Sequence, residues 1–199
     1  MSSPPKAAPA KGATARAARA RTALPSPDSE LYRLMSAFPR GGTVRWIGLR
    51  PKRDVPMHPV EAVEAIEGGG LTGDRYAGGS GKRGITLIQA EHLPVIAALA
   101  GLEDVLPALL RRNVVVSGIP LIALKGRRFR IGSAVFEGTE PCDPCSRMEA
   151  ALGPGGYNAM RGHGGLCARI VQSGRFALGD AVEFVGDPPA ADDLFGGAA

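Results

Sequence analysis

Glycine and proline divide this chain into short segments. The 199 residues include 28 Gly and 17 Pro, with clusters at residues 39–42, 51–59 and 68–70. Both residue types interrupt helices, and proline also removes a backbone N–H donor. The apolar residues must therefore be buried by many short elements rather than by long helices. This pattern favours a sheet that closes or curves strongly on itself.

The apolar segments between these breaks predict more strands than helices. Short β-branched or alternating runs predict strands at 43–49, 85–88, 114–116, 129–137, 167–171 and 181–185, while 60–66 fits a strand or a helix. Helical spacing predicts helices at 31–35, 90–100, 102–110 and 146–152. No repeated strand–helix–strand order and no glycine-rich nucleotide motif is present. We therefore expect an α+β, mainly β fold: a closed or strongly curved β-barrel with a few packed helices.

The excess positive charge lies in the N-terminal tail. The chain has 24 Lys and Arg against 19 Asp and Glu, a net charge of +5. Residues 1–27 contain five bases and no acid, so the remainder is formally neutral, and we expect no specific nucleic-acid partner. We predict a disordered basic tail at 1–27, one domain at 28–186 and a flexible tail at 187–199. A transit peptide or a loose anionic-surface anchor remains open for the first tail.

The cysteine content and the lack of a long apolar run indicate the cellular compartment in which we expect this protein. Cys142, Cys145 and Cys167 are too few, and odd in number, for a disulfide scaffold. No apolar run is long enough to span a membrane. We therefore expect reduced thiols, no membrane partner and a cytoplasmic protein.

The segment EPCDPCSRME, residues 140–149, carries the strongest chemical signal. It follows a predicted strand and begins a predicted helix, so Cys145 lies at or just before the first helical turn. Free amide N–H groups there stabilise a thiolate, and Arg147 adds positive charge. Cys145 is thus a candidate nucleophile or soft metal ligand. Two alternatives stay open, namely thiols that only pack, and a zinc site formed by Cys142, Cys145, His163 and Cys167.

Two further segments are suited to an anion. In residues 68–75, GGGLTGDR, glycines let backbone amides approach a ligand, and Asp74 can orient Arg75 or cap a turn. Residues 111–113, Arg-Arg-Asn, precede the predicted strand at 114–116, and guanidinium forks suit a phosphate or a pterin. For both segments the alternative is an ordinary turn or a solvated strand start.

A glycine-flanked histidine is the remaining candidate. His163 lies in the segment RGHGG, which predicts a mobile loop. The imidazole titrates near neutral pH, so it can contact a ligand or act as an acid or base. The alternative is a solvated loop histidine.

Taken in order, these segments resemble the MOSC domain family. The resemblance runs from about residue 44 to 185 through the segments GLTGDRY, ITLIQAEHL, LRRNVVVSGI, LKGRRFRIGSAVFEGTEPCDPCSRME, GHGG and FALGDAVEF. This module occurs at the C-terminus of molybdenum cofactor sulfurases, alone in small bacterial proteins, and within the mitochondrial amidoxime-reducing component. Each segment by itself is common, but their joint order is specific.

The resemblance implies a barrel-like fold that binds the molybdenum cofactor. It implies that Cys145 supplies a thiolate to molybdenum, with Cys142 as the alternative, and that the family's Arg-x-Asn element matches Arg111 and Asn113. The basic loop at 80–83, before the predicted strand at 85–88, adds Lys82 and Arg83. The predicted cofactor-binding set is therefore Asp74, Arg75, Lys82, Arg83, Arg111, Arg112, Asn113 and Arg147. The predicted catalytic residues are Cys145 and His163.

The leading functional hypothesis is a molybdenum-dependent reductase of N-hydroxylated compounds. The 199 residues show no flavin or iron–sulfur module and no pyridoxal-phosphate-dependent desulfurase domain like that of the sulfurases. We therefore expect a partner protein. That partner is an electron donor or a cysteine desulfurase. The reductase's extra N-terminal barrel portion is also missing, unless residues 31–66 supply a remnant. The alternatives are a persulfide carrier that delivers sulfur to a metal–sulfur centre, and a zinc-binding or non-catalytic interaction module.

Overall fold

The computed structural model describes residues 24–76 and 81–188. The strands there are β1 (Gly42–Leu49), β2 (His58–Pro59), β3 (Ala62–Ala65), β4 (Ile85–Gln89), β5 (Val114–Ser117), β6 (Arg128–Ile131), β7 (Ala134–Pro141), β8 (Leu166–Gln172), β9 (Gly174–Ala177) and β10 (Ala181–Gly186). The helices are α1 (Glu30–Ser36), α2 (His92–Ala100), α3 (Ser146–Leu152) and α4 (Gly156–Met160), with 3-10 turns at Pro107–Leu110 and Leu121–Leu124.

Seven strands close into a barrel, which confirms the predicted fold class. The order around the barrel is β1-β5-β4-β8-β7-β6-β10, and β10 returns to β1 through the pairs Gly42↔Val182 and Thr43↔Ala181. β2 extends the sheet beyond β1, and β3 with β9 forms a separate ribbon. β4 and β5 are parallel and are joined through α2. The sequence analysis missed this strand–helix–strand unit because a single unit leaves no repeating pattern.

The alternation of side chains along β4 and β5 builds two cores. Leu87, Val114 and Val116 belong to the cluster inside the barrel, where the rings of Phe129 and Phe136 stack with centroids 5.4 Å apart. Ile88 and Val115 belong to a second cluster, which α2, α3 and α4 cover. These strands are buried on both faces, which explains why their sequences are almost continuously apolar.

Three segments depart from the predicted elements. The single strand predicted at 129–137 is wrong, because β6 and β7 form a hairpin that turns at Gly132, whose φ is +56°. Apolar alternation continues through this short turn, so the pattern alone hid it. The helix predicted at 102–110 is reduced to the 3-10 turn, and Leu102 and Leu106 are exposed. The ambiguous segment at 60–66 contains a strand, β3, which pairs with the unpredicted β9.

α1 is fastened to the barrel by a buried arginine. Ser29 caps the helix, accepting a hydrogen bond from the Tyr32 amide at 3.2 Å. Arg127 is fully buried and donates to the Met35 carbonyl at 3.0 Å. The Tyr32 hydroxyl donates to Asp187, at the start of the predicted C-terminal tail, at 2.5 Å. Residues 1–23 and 189–199, most of the two predicted tails, lie outside the described residues.

Candidate functional site

Asp74 attaches the GDR segment to the end of β1. Its carboxylate accepts hydrogen bonds from the backbone N–H of Arg50 at 2.8 Å and of Tyr76 at 2.9 Å. It also accepts from Nδ2 of Asn113 at 3.1 Å, while the Arg75 amide donates to the Arg50 carbonyl at 2.8 Å. The structure therefore brings the predicted residues Asp74 and Asn113 together. The hydrogen bonds of both side chains go to other groups of the protein.

Asn113 continues this network across the barrel. Its Oδ1 accepts from the Thr86 hydroxyl at 2.8 Å, and its Nδ2 lies 3.3 Å from the Gly48 carbonyl to which it donates. The amide side chain thus ties β1, β4 and the start of β5 to one point. A side chain with both a donor and an acceptor is needed for these contacts.

Beside this network, the charges of three guanidinium groups act on a fourth, that of Arg50. Arg50, directly after β1, has a lowered pKa because of burial and of the charges of Arg111, Arg75 and Arg147. We call these four residues the arginine cluster. The Nε of Arg50 is buried and has no hydrogen-bond partner among the described residues. Asp74 is the acidic group that opposes the shift, so the cluster retains an excess of positive charge that an anion would neutralise.

Arg147 connects the cluster to the predicted thiol. Cys145 is the N-cap of α3 and is exposed, so its predicted position at the helix start is confirmed. Arg147 follows in the first turn, and its Nη1 lies 3.2 Å from a carboxylate oxygen of Asp54. α3 therefore carries the exposed thiol and one member of the arginine cluster on the same turn.

A cleft of about 280 Å³ lies beside the first turn of α2. Its lining contains no member of the arginine cluster, so we call it the second cleft, to distinguish it from that site. Its lining includes His92, Cys142 and Asp143, together with the glycines of the RGHGG segment. Cys142 is 5% exposed and Cys167 is fully buried. The side chains of Cys142 and Cys167 interact with each other.

This thiol pair holds its negative charge on Cys142. The hydrogen bond from Cys167 lowers the pKa of Cys142 to about 7, and the charges of Arg112 and Arg83 act in the same direction against the effect of burial. The same hydrogen bond and burial raise the pKa of Cys167. Of the two thiols, Cys142 is therefore the one that ionises first as the pH rises.

Some of the predicted basic residues belong to the arginine cluster, and the others contact different parts of the protein. Arg75, Arg111 and Arg147 belong to the arginine cluster. Arg112 is buried instead and donates to three backbone carbonyls, those of Leu110, Cys142 and Gly164, at 2.8 to 3.0 Å. Arg83 pairs with Glu140 at 3.0 Å, and the carbonyl of the neighbouring residue Lys82 accepts from Thr139 at 2.6 Å.

The glycines after His163 serve close packing. A Cβ at Gly164 would lie 2.1 Å from the Cys142 carbonyl oxygen, and one at Gly165 would lie 1.9 Å from that of Leu87. At Gly164 and Gly165, a side chain would therefore clash with the neighbouring backbone. His163 stacks edge-on against His92 with ring centroids 5.0 Å apart, and Nδ1 of each ring is buried without a partner in the described regions.

The proposed zinc ligands do not converge. Within residues 24–76 and 81–188, no three His, Cys, Asp or Glu side chains are grouped so that they could hold a metal ion. Cys142 and Cys167 contact each other, whereas Cys145 is exposed at the start of α3. The set of Cys142, Cys145, His163 and Cys167 is thus not assembled as a tetrahedral site.

Comparison with known proteins decides the family. The family model of the MOSC domain matches residues 74–183, more than half of the chain. This chain belongs to the MOSC domain family. The match begins at Asp74 and includes the Arg-Arg-Asn segment and both predicted thiols of residues 140–149.

Solved structures share the fold of this MOSC domain. The YuaD protein from Bacillus subtilis is 20% identical, with a TM-score of 0.66 over 75% of this chain and 98% of that one. YiiM from Geobacillus stearothermophilus is 19% identical, with a TM-score of 0.58 over 72% and 75%. YiiM from Escherichia coli is 21% identical, with a TM-score of 0.58 over 74% and 70%. A comparison with curated protein sequences found no significant match.

Several features of the MOSC domain were not anticipated from sequence. Arg50 was not predicted as a site residue. It directly follows the first predicted strand, and this position was the sequence signal that could have identified it. His92 begins α2 within the motif ITLIQAEHL, but nothing in the sequence pairs it with His163. The contact between Cys142 and Cys167 depends on the pairing of β7 with β8. In the described part of the chain, no helix has the length and apolar character to cross a membrane.

Proposed function

We propose that this MOSC domain protein binds the molybdenum cofactor and uses it to reduce N-hydroxylated compounds. The observation that supports this most directly is the arginine cluster, in which a buried Nε of Arg50 lacks a partner among the described residues. The helix that contributes Arg147 to this cluster also begins with the exposed thiol of Cys145. Arg147, which can bind an anion, and Cys145, which can bind a soft metal, thus both lie at the start of α3.

These residues fit the two chemical ends of the cofactor. Its phosphate is matched by guanidinium groups, which form paired, charge-assisted hydrogen bonds with oxyanions. Its metal, already held by dithiolene sulfurs, is matched by a thiolate. Cys145 is the better ligand than Cys142, because Cys145 is exposed whereas the side chain of Cys142 already interacts with Cys167.

The chain's own residues bind and orient the bound group. Arg50, Arg75, Arg111 and Arg147 hold the phosphate. Asp74 positions Arg50 through its backbone amide, and the amide of Arg75 donates to the Arg50 carbonyl. When bound, the cofactor supplies the open metal positions at which a substrate gains two electrons. His163 stays a proposed acid–base group. Its described contact is with His92, at the second cleft.

Molybdenum content and dye-linked reductase activity test this function. The protein is produced in a host that makes the cofactor, with a reduced dye replacing the partner electron donor. We expect molybdenum in the wild type, activity lost in Cys145→Ser and activity kept in Cys142→Ser. Arg50→Gln should lower cofactor occupancy roughly 10- to 100-fold, the effect of losing a charged hydrogen bond.

Arg45→Gln is the matched control for Arg50→Gln. Arg45 also lies on β1, is exposed, and donates to the Ser117 hydroxyl at 2.7 Å outside the arginine cluster. This variant should keep wild-type cofactor occupancy. A wild-type protein without molybdenum, or equal losses in both arginine variants, would contradict the proposal.

The exposure of Cys145 also favours a second function, that of a persulfide carrier. A cysteine desulfurase needs direct access to the accepting thiol, and Cys145 is the exposed cysteine. Incubation with a desulfurase and free cysteine should then add one sulfur atom to Cys145, seen by mass spectrometry. Sulfur addition without bound molybdenum would favour the carrier over the reductase, and bound zinc without either would favour a non-catalytic module.

A further inference from the structure

We propose that Cys142 and Cys167 form a peroxide-reactive thiol pair at the second cleft. A small hydroperoxide oxidises Cys142, and Cys167 then closes a disulfide between the ends of β7 and β8. This site is separate from the arginine cluster and does not depend on the proposed cofactor chemistry.

Strand pairing places the two thiols on one face of the sheet. Glu140 lies opposite Cys167 in the antiparallel pair β7–β8, and the Cys142 amide donates to the Gly165 carbonyl at 2.8 Å. Residues two apart on a strand share a face, so Cys142 and Cys167 are diagonal neighbours. The interaction of the two side chains also indicates that their sulfurs are neighbours, as a disulfide between them requires.

The cleft gives access to Cys142. Its volume of about 280 Å³ is far larger than the roughly 30 Å³ that one water occupies in the liquid, so a small hydroperoxide fits. Cys142 lines the cleft. Cys167 is fully buried behind it. This arrangement makes Cys142 the attacking sulfur and Cys167 the resolving one.

Nearby groups support attack by Cys142 as a thiolate. Arg112 donates to the Cys142 carbonyl at 2.8 Å, and its charge and that of Arg83 favour the ionised sulfur. His92 lines the same cleft.

The two steps balance in atoms and electrons. The Cys142 thiolate attacks the terminal oxygen of ROOH, so an S–O bond forms, the O–O bond breaks, and the alkoxide takes the thiol proton of Cys167 to leave as ROH. The Cys167 thiolate then attacks the Cys142 sulfur, and hydroxide leaves as the S–S bond forms. Two thiol sulfurs lose two electrons in total, and the peroxide gains them.

The test uses the full chain with Cys145→Ser as a background that removes the exposed thiol. The protein is treated with hydrogen peroxide, quenched, alkylated in denaturant and digested. We expect one intramolecular disulfide that links the peptides of Cys142 and Cys167. Adding Cys167→Ser should leave a dimedone-reactive sulfenic acid on Cys142, and adding Cys142→Ser should leave Cys167 reduced.

The wild-type chain and a second substitution guard against a folding defect. The disulfide is also mapped in the wild type, and Cys167→Ala replaces Cys167→Ser if the latter does not unfold cooperatively. The proposal is overturned if Cys142 and Cys167 both remain reduced at peroxide concentrations that oxidise Cys145 in the wild type. Molybdenum measured on the wild-type sample separates this outcome from a failure of the proposed cofactor function, because that sample keeps Cys145.

Discussion

At the scale of single residues, Asp74 joins two segments that lie almost forty positions apart in the chain. Its oxygens accept from two backbone amides and from the side chain of Asn113. The sequence suggested that Asp74 orients a neighbour or caps a turn, and it does hold the Tyr76 amide two residues on. The longer-range bond to Asn113 was invisible, because it requires the loop after β3 to return to the end of β1.

Asp74→Asn tests this network. The amide nitrogen would face hydrogen-bond donors, so we expect the free energy of unfolding to fall by about 1–3 kcal/mol, the usual cost of unsatisfied buried polar groups. Urea denaturation measures the loss. Arg75→Gln, at an exposed neighbour, should change stability by less than about 0.5 kcal/mol. Equal stability of Asp74→Asn and wild type would show that the network does not support the fold.

The cysteines show where residue-level reasoning stops. Helix-start chemistry correctly placed Cys145 before α3, because that inference needs only local sequence. The lowered pKa of Cys142 has a different origin. It depends first on Cys167, a residue 25 positions away whose sulfur is brought close by strand pairing. Local motifs cannot show such a contact.

At the scale of elements, one carboxylate joins α3 to α4. Glu149 in α3 accepts from the amides of Gly155 and Tyr157 at 2.9 and 2.7 Å, which are unpaired donors at the start of α4. A side chain of one helix thus caps the next. The short α4, with two glycines at its start, was not predicted from sequence because its cap lies outside the helix.

Glu149→Gln should loosen this junction in a pH-dependent way. The amides of Tyr157 and Gly155 lower the pKa of Glu149 in the folded state. Its contribution is therefore complete above the unfolded pKa of about 4.3 and disappears as the pH falls through the lower folded value. Thermal unfolding should show the variant less stable than wild type at pH 7, with the difference shrinking below pH about 4.

Glu103→Gln serves as the control, since Glu103 is an exposed loop residue. It should match wild type at both pH values. A difference for Glu149→Gln that stays constant from neutral to acidic pH would contradict the capping role.

At the scale of the whole molecule, Arg127 attaches α1 to the barrel. The guanidinium bonds the Met35 carbonyl and the Ser36 hydroxyl, lies over the rings of Tyr32 and Phe184, and sits 3.6 Å from Asp187. The first described helix and the last described strand are thus held by one buried charge. Residues before Ser29 make none of these contacts among the described part of the chain.

Two truncations test the boundary of the folded domain. A chain lacking residues 1–27 keeps Ser29 and α1, so it should unfold at the same temperature as the full chain and bind as much molybdenum. A chain lacking residues 1–37 loses partners of Arg127 and should be less stable by about 1–3 kcal/mol or more. Loss of folding or of molybdenum in the shorter truncation would show that the basic tail belongs to the functional unit.

The sequence by itself determined the class of fold, most strand positions, the helix that begins after Cys145, and the family. Those properties follow from local preferences: glycine and proline end elements, apolar alternation marks strands, and an ordered set of short motifs is specific. Only the tertiary structure decided how these pieces meet. It brought Arg50 into the arginine cluster, turned Arg112 toward the carbonyls of Cys142 and Gly164, and set Cys142 against Cys167. Barrel closure sets these distances, because it pairs strands that are far apart in the chain.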